Sequence, residues 1–313
     1  VEVSERLDAA GTVLTPLDLS RARADMEAAR AAGVQSIAIA LLHAYLNPVH
    51  EQQLAQMATE LGFSQVSTSH EVSGLAKLVG RGDTTVVDAY LSPILRRYVD
   101  QVAGALNVGG NCKALMFMQS NGGLTDARKF QGKDAILSGP AGGIVGMVQT
   151  GQKAGFDQLI GFDMGGTSTD VSHFAGKFER SFETEVAGVR MRAPMMDIHT
   201  VAAGGGSICS YRDGRFQVGP ESAGADPGPA SYRRGGPLTV TDCNVILGAL
   251  SADYFPAVFG ACGTLPLEAE AAVARIEALA AQHGLEGTAE DMAQGFLDIA
   301  VQNMANAIKK ISV

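Results

Sequence analysis

The sequence lacks several features that would point directly to a class of function. It has no block of Lys or Arg long enough to follow a phosphate backbone, and its net charge is 24 − 33 = −9, so we expect no nucleic-acid partner. The longest apolar stretch, residues 37–42, is far shorter than the ~20 residues that cross a bilayer. The first residues do not form a signal peptide. We therefore expect a globular cytoplasmic protein that does not enter the membrane.

Cysteine and the common nucleotide-binding motifs are scarce or missing as well. The four cysteines have no C-x-x-C spacing, which argues against a zinc cluster and a disulfide framework, so we expect reduced thiols. Neither G-x-x-x-x-G-K-[ST] nor a G-x-G-x-x-G after a strand is present. Nucleotide binding through a P-loop or a Rossmann-type motif is therefore excluded.

The chain has enough apolar residues for two domains, with 313 residues and 46% hydrophobic content. Helical spacing over residues 17–32, followed by an apolar run at 36–42, predicts an α/β chain. A long helix is predicted over residues 84–106, with Pro93 near a turn or kink. We place a domain boundary near residues 151–157, which gives a first lobe at 1–153 and a second lobe at 154–313.

The second lobe is predicted to begin with strands and to end with helices. Residues 171–182 predict two antiparallel strands around Gly176-Lys177, and residues 208–218 predict a hairpin around Asp213-Gly214. Residues 219–238 carry five glycines and four prolines, which predicts a long loop. Helices are predicted at 242–250, 267–282 and 289–310.

The run FDMGGTSTDVS at 162–172 is the most informative part of the chain. It follows a short apolar strand, and Gly165 and Gly166 allow a sharp turn that brings backbone N–H groups against anionic oxygens. Hydroxyl donors follow at Thr167, Ser168 and Thr169. Asp163 and Asp170 offer carboxylates to Mg²⁺. The run therefore predicts a phosphate-binding turn for a metal-bound nucleotide. The alternative is an ordinary β-hairpin whose polar residues only cap the turn.

Two further clusters are candidates. Asp197 and His199 form D-x-H on a predicted strand, which would place both on one face; they would bind a metal, relay a proton or form a structural hydrogen bond. Gly204, Gly205 and Gly206 predict either a second backbone nest for a nucleotide or a tightly packed turn. Weaker candidates for substrate contact are Ser222, Asp226, His70 and Glu71.

Six motifs in this sequence resemble the hydantoinase A and 5-oxoprolinase family, which also includes ATPase subunits of acetone and acetophenone carboxylases. The motifs are FMQSNGG (117–123), LSGPAGG (137–143), FDMGGTSTDVS (162–172), DIHTVAAGGGS (197–207), VGPESAGADPGPASY (218–232) and TDCNVILG (241–248). The resemblance runs from about residue 69 to the C-terminus.

The resemblance implies an actin-like, ribonuclease-H-like ATPase fold of two lobes with ATP and Mg²⁺ as cofactors. It also implies ring opening of a cyclic amide, such as 5-oxoproline or a hydantoin, through phosphorylation of the amide oxygen. Members of the family often work with a B-type subunit, and we expect an oligomer. A further divalent metal would suit Asp197 and His199.

The sequence also departs from the family pattern. The family's earlier D-x-G-G-T-x-T-D turn is absent before residue 162, and the chain stops before the family's glycine-rich adenosine segment. The sequence therefore resembles a central fragment, truncated at both ends. Three alternatives follow: an ATPase subunit of an acetone-type carboxylase, a small-molecule kinase of the same fold, and a catalytically inactive isolated domain.

Overall fold

The computed structural model describes residues 1–110, 112–186 and 188–312 and divides the chain into two compact units. The first unit consists of Val1–Gly146 and Phe178–Asp197, and the second of Met147–Lys177 and Ile198–Val313. This division differs in two ways from the single boundary expected near 151–157. The chain leaves the first unit inside a helix, and residues 178–197 return to that unit. Packing of β11 against α4, and of Met191 and Met195 against Val87, causes this return, and local composition does not report such long-range packing.

The helices, in chain order, are α1 (Leu19–Ala31), α2 (Val49–Glu60), α3 (Ser69–Val72), α4 (Leu78–Ala105), α5 (Gly132–Ala135), α6 (Ser138–Lys153), α7 (Val240–Ile246), α8 (Ala269–His283) and α9 (Ala289–Ser312). Short 3₁₀ turns cover Ala127–Lys129, Ala230–Tyr232 and Ala252–Tyr254. None of the described helices is both long and apolar enough to span a membrane.

The strands are β1 (Arg6–Leu7), β2 (Val13–Thr15), β3 (Ser36–Ile39), β4 (Gln65–Thr68), β5 (Met116–Met118), β6 (Leu124–Asp126), β7 (Gln158–Met164), β8 (Thr169–Ala175), β9 (Arg180–Ser181), β10 (Thr184–Val186), β11 (Val189–Met191), β12 (Met195–Met196), β13 (His199–Val201), β14 (Ser207–Arg212) and β15 (Arg215–Ser222).

The first unit opens with the predicted helix-to-strand pattern. Asp18 caps α1, because its carboxylate accepts the backbone N–H groups of residues 20 and 21. Strands β3 and β4 pair in parallel, with α2 as the crossover between them. Met26, Ile39, Leu54 and Phe63 are buried in one core cluster. This part of the α/β prediction is confirmed.

Helix α4 is longer than its sequence pattern indicates. It begins at Leu78, six residues before the expected start, and continues through Pro93. Arg81, in the first turn, is fully buried and donates from Nη1 to the carbonyl oxygen of Leu75 at 2.8 Å. Tertiary anchoring of this kind extends a helix beyond its local periodicity.

The segment 178–197 corrects one strand prediction. Strand β9 pairs with β12, and β10 pairs with β11, both antiparallel. Residues 171–182 therefore do not form one hairpin around Gly176-Lys177, because β8 pairs with β7 and β13 instead. The pattern of two strands was visible in the sequence, but the partners were not.

The second unit combines two small sheets with the C-terminal part of α6 and with helices α7, α8 and α9. The first sheet has the order β13-β8-β7, and the second is the β14-β15 hairpin, which confirms the prediction at residues 208–218. Asp213 and Gly214 form its turn with φ of 51° and 75°. Helix α9 covers the hairpin, with the Phe216 and Phe296 ring centroids 4.5 Å apart. Helix α9 also contacts β8 and β13 of the first sheet.

Candidate functional site

The candidate site is built around the hairpin of β7 and β8. Asp163 pairs with Asp170 across the two strands, and Thr200 of β13 pairs with Asp170 on its other side. Residues directly opposite on antiparallel strands share one face, with Cβ atoms about 4.5–5.5 Å apart. The two carboxylates therefore lie side by side. Thr200 Oγ1 donates to Asp170 Oδ1 at 2.7 Å and holds that carboxylate in place.

The tip of the hairpin presents backbone donors. Gly165 N–H donates to Ser168 O at 2.9 Å and closes the turn. Within the described chain, the N–H groups of Gly166, Thr167 and Ser168 have no hydrogen-bond partner, and Gly166 and Thr167 are exposed. Successive unpaired N–H groups in a turn form a concavity that suits an anion. The loop that the sequence predicts to bind phosphate is therefore the loop that presents these unpaired N–H groups.

Thr169 does not contribute as predicted. It is fully buried, and its Oγ1 donates to the carbonyl oxygen of Ala203 at 2.6 Å. Because strand side chains alternate, Thr169 points to the face opposite Asp170. Its hydroxyl anchors the hairpin to the segment after β13 and is not available to a nucleotide.

The glycine run 204–206 packs against the tip of the β7-β8 hairpin and is hydrogen-bonded to it. Gly204 N–H donates to Ser207 Oγ, and the N–H groups of Gly205 and Gly206 donate to the carbonyl oxygens of Gly165 and Gly166 at 3.1 and 2.6 Å. All three donors are therefore used within the chain. The interpretation as a second nest with free N–H groups is corrected: the run packs tightly against the turn.

Asp197 and His199 do not share a strand. Asp197 precedes β13, is exposed, and donates its backbone N–H to Glu179 O at 3.0 Å in the first unit. His199 is the first residue of β13 in the second unit, opposite Val171. The D-x-H pattern fails because the strand begins two residues later than expected. Among the described residues, no group of three or more His, Cys, Asp or Glu side chains could hold a metal ion.

The weaker candidates have local partners. Ser222 Oγ accepts Gly224 N–H at 3.1 Å, and Glu71 accepts the Thr68 hydroxyl at 3.0 Å. His70 Nδ1 lies 2.7 Å from a carboxylate oxygen of Glu51, which is fully buried. Asp226 is exposed.

Sequence analysis missed two residues that hold the site. Thr200 orients Asp170, and only the cross-strand register reveals this role. Thr241 donates both its N–H and its hydroxyl to Gly205 O, each at 2.8 Å, and so fixes the glycine run from the first turn of α7. A local signal existed for that turn, because Thr239 and Asp242 form a capping box at the start of the helix.

Asp242 also orders the end of the long loop. Its carboxylate is fully buried and accepts the N–H groups of Ala230 and Ser231 at 3.0 and 2.9 Å. Burial, followed by the charge of Asp242, raises the pKa of Tyr232 above its ordinary value. Much of the loop predicted at 219–238 is irregular, although β15 extends to Ser222 and a 3₁₀ turn covers Ala230–Tyr232.

Comparison with solved structures identifies the class of fold. The chain superposes on the nucleotide-free structure of acetone carboxylase with a TM-score of 0.81 and 27% identity, covering 98% of this chain and 44% of that one. It superposes on the ATP-dependent caprolactamase of Pseudomonas jessenii with a TM-score of 0.78 and 34% identity, covering 99% and 45%. The predicted class, an α/β chain of the actin-like, ribonuclease-H-like ATPase fold, is confirmed.

Family models then identify the family. The model described as Hydantoinase/oxoprolinase matches residues 81–313, and the Hydantoinase/oxoprolinase N-terminal region matches residues 1–62. The chain therefore belongs to the hydantoinase/oxoprolinase family.

Two relatives show how much of a longer protein the chain represents. The 5-oxoprolinase of Saccharomyces cerevisiae is 45% identical over 306 residues, which cover 96% of this chain and 24% of that protein. The caprolactamase subunit alpha of Pseudomonas jessenii is 34% identical over 317 residues, which cover 99% and 45%. The chain thus spans about a quarter of the first relative and under half of the second.

Proposed function

We propose that this chain provides a phosphate-binding element of an enzyme that opens a cyclic amide with hydrolysis of ATP. The observation that carries the proposal is the pairing of Asp163 with Asp170 beside a turn in which the N–H groups of residues 166–168 have no partner among the described residues. Acids flanking free backbone donors suit a phosphate together with its metal ion. The relatives named 5-oxoprolinase and caprolactamase support the cyclic amide as the substrate class.

The donor set at the hairpin fits Mg²⁺. This ion binds phosphates through one or two carboxylates and keeps several waters. Two like charges directly opposite each other destabilise a hairpin, and a bound cation would remove that repulsion. Thr200 occupies only Oδ1 of Asp170, so the other oxygen remains for a cation or its water. We assign Asp163 and Asp170 as the residues that hold Mg²⁺.

The nucleotide phosphates would lie against the hairpin tip. Gly166, Thr167 and Ser168 would donate backbone N–H groups to phosphate oxygens, with Gly165 shaping the turn. Gly204, Gly205 and Gly206 would not contact the nucleotide. They would affect its binding indirectly, because they hold the phosphate-binding turn in position. Transfer of the γ-phosphoryl group from ATP to the amide oxygen would give ADP and an O-phosphorylated imidate. Water would attack the imidate carbon, and phosphate and the ring nitrogen would leave, which gives the opened acid. The protein's part in such a transfer is mainly positioning and charge neutralisation.

The test is a carboxylate-to-amide substitution in the full protein. Asp163→Asn and Asp170→Asn should each lower ATP-dependent phosphate release more than about tenfold, and excess Mg²⁺ should restore part of the rate. Asp213→Asn is the matched control, because it removes one carboxylate from another hairpin turn of the same unit. Near-normal rates for both site variants would contradict the assignment.

A second candidate is the ATPase subunit of a carboxylase, which the similarity to acetone carboxylase favours. Product analysis separates the alternatives. A cyclic-amide hydrolase yields an opened acid and free phosphate, whereas a carboxylase yields a carboxylated ketone. A kinase of the same fold would release a stable phosphate ester.

We also propose a partner subunit of the B type. The caprolactamase relative carries the name "subunit alpha", which supports an assembly of unlike chains. Co-expression with a B-type chain followed by size-exclusion chromatography tests this, and two separately eluting proteins would contradict it.

A further inference from the structure

A cavity of about 550 Å³ is lined by residues of the first unit, and none of these lining residues belongs to the β7-β8 hairpin. It is formed by the start of α4 and by the β10-β11 hairpin with the residues that follow it. Its lining includes Lys77, Leu78, Val79, Asp83, Thr184 and Arg192. Its size is within the range of small-molecule sites.

Arg192 is built into the wall of this cavity. Its backbone N–H donates to Thr84 Oγ1 at 2.9 Å, and its carbonyl oxygen accepts the Ser73 hydroxyl at 3.0 Å. Its aliphatic stem lies directly on Gly80, where a Cβ would be 2.5 Å from Arg192 Cδ. The side chain is only 17% exposed. The two hydrogen bonds hold the Arg192 backbone, and the contact with Gly80 holds the aliphatic stem.

The guanidinium is only partly satisfied by the protein. Its Nη2 lies 2.8 Å from Glu183 Oε1. Over the described part of the chain, Nε and Nη1 of Arg192 are buried without a hydrogen-bond partner, and so is Thr184 Oγ1. Buried unpaired donors are costly and rare in native proteins. All three atoms belong to residues that line this cavity, and each lacks a hydrogen-bond partner among the described residues.

The remaining lining indicates the charge and shape of that ligand. Lys77 and the start of α4, which has no side-chain cap, favour a negative group near Arg192. Leu78 and Val79 offer apolar surface. The ionisable lining residues balance, with three basic and three acidic members: Lys77, Arg190 and Arg192 against Asp83, Glu183 and Glu185. A balanced lining disfavours a polyphosphate and suits a single negative charge.

We propose that this cavity binds a small organic monocarboxylate with an apolar body, and that Arg192 and Thr184 recognise its carboxylate. The inference does not depend on the function proposed for the hairpin, because all the residues that carry it belong to the first unit.

The experiment measures binding of 4-phenylbutyrate to the full protein by calorimetry, with the neutral 4-phenylbutyramide as the matched ligand control. The carboxylate should bind, and the amide should bind at least about tenfold more weakly, as expected for loss of a charge-assisted hydrogen bond. Arg192→Met keeps the aliphatic stem and should reduce carboxylate affinity about tenfold or more. Arg212→Met is the control variant, since Arg212 is exposed in the second unit.

Thermal unfolding provides a second readout that separates misfolding from loss of binding. Arg192→Met removes the unpaired nitrogens, so its Tm without ligand should equal or exceed that of the parent protein, while the carboxylate should raise Tm only in the parent. Thr184→Val should weaken binding with no loss of Tm. Equal binding of acid and amide, preference for inorganic phosphate, unchanged affinity in Arg192→Met, or no binding at about 10 mM would each overturn the proposal.

Discussion

Gly204 lies so close to Gly165 that a Cβ on Gly204 would come within 2.8 Å of the Gly165 carbonyl oxygen. The same Cβ would lie 2.8 Å from Gly166 C and Thr167 N. These are backbone atoms, so no side-chain rotation relieves the contact. The position of the hairpin tip thus depends on the absence of a side chain at residue 204.

Gly204→Ala should therefore displace the tip. We expect a loss of about 1–3 kcal/mol in the free energy of unfolding, typical of overpacking, and a fall in ATP-dependent phosphate release larger than that loss of folded protein explains. Urea denaturation and a phosphate-release assay measure the two effects. Gly104→Ala is the matched control, because a Cβ there meets nothing within 4 Å. Full activity of Gly204→Ala would show that the tip tolerates movement.

Gly146→Ala should stabilise the protein. Gly146 lies in the interior of α6, and a Cβ there meets no atom within 4 Å. Alanine favours a helix by about 1 kcal/mol over glycine. The contrasting variant is Gly132→Ala, where a Cβ would lie 2.7 Å from Leu91 Cβ and 2.8 Å from Ser92 N. Denaturant midpoints should move in opposite directions, and a common direction would contradict the packing described here.

The cysteines should differ in reactivity. Cys262 is exposed, and a hydrogen bond from Thr264 lowers its thiol pKa. Cys209 and Cys243 are buried with their Sγ atoms 3.9 Å apart, and their mutual hydrogen bond, with burial, raises the pKa of Cys209. Iodoacetamide should label Cys262 first, since the thiolate is the nucleophile. Mass spectrometry should find Cys209 and Cys243 labelled only after unfolding, and Thr264→Val should slow labelling of Cys262.

Asp126 should titrate at low pH. A hydrogen bond from the Arg128 side chain is the main cause that lowers its pKa from 3.8 to about 2. Because the folded-state pKa is depressed, the stabilisation is present above about pH 4 and is lost as the pH falls through about 2. In a carbon-detected NMR titration, Arg128→Ala should raise this pKa, although the backbone N–H of residue 128 still donates to Asp126. Lys129→Ala should change it little.

The sequence predicts helices and tight hairpin turns well, because the residues that determine them are close together in the chain. Helix α1 has its cap at Asp18, and the β14-β15 turn has Asp213-Gly214, so neighbouring residues suffice. The choice of strand and side-chain partners cannot be predicted in this way. The pairing of β9 with β12, and the support of Asp170 by Thr200, depend on residues 14 or more positions apart in the chain. Side-chain periodicity carries no record of such partners.

The candidate site follows the same division. Asp163, Gly165 and Asp170 are adjacent in sequence and lie together in the structure. The prediction that Thr169 donates its hydroxyl to the nucleotide is wrong, because Thr169 is the first residue of β8 and its side chain is buried against Ala203 O. Asp197 and His199 were separated because a strand start misplaced by two residues removes the shared face.

The return of residues 178–197 to the first unit has a practical consequence for anyone who divides the gene. Met191 and Met195 from this excursion are fully buried with Ile136 and Leu137. A plasmid encoding only residues 1–153 would leave Ile136 and Leu137 exposed to water, because Met191 and Met195 would be missing. It would also delete Arg192. Expression of the first unit by itself calls for a spliced design, in which a short artificial linker joins residue 146 to residue 178.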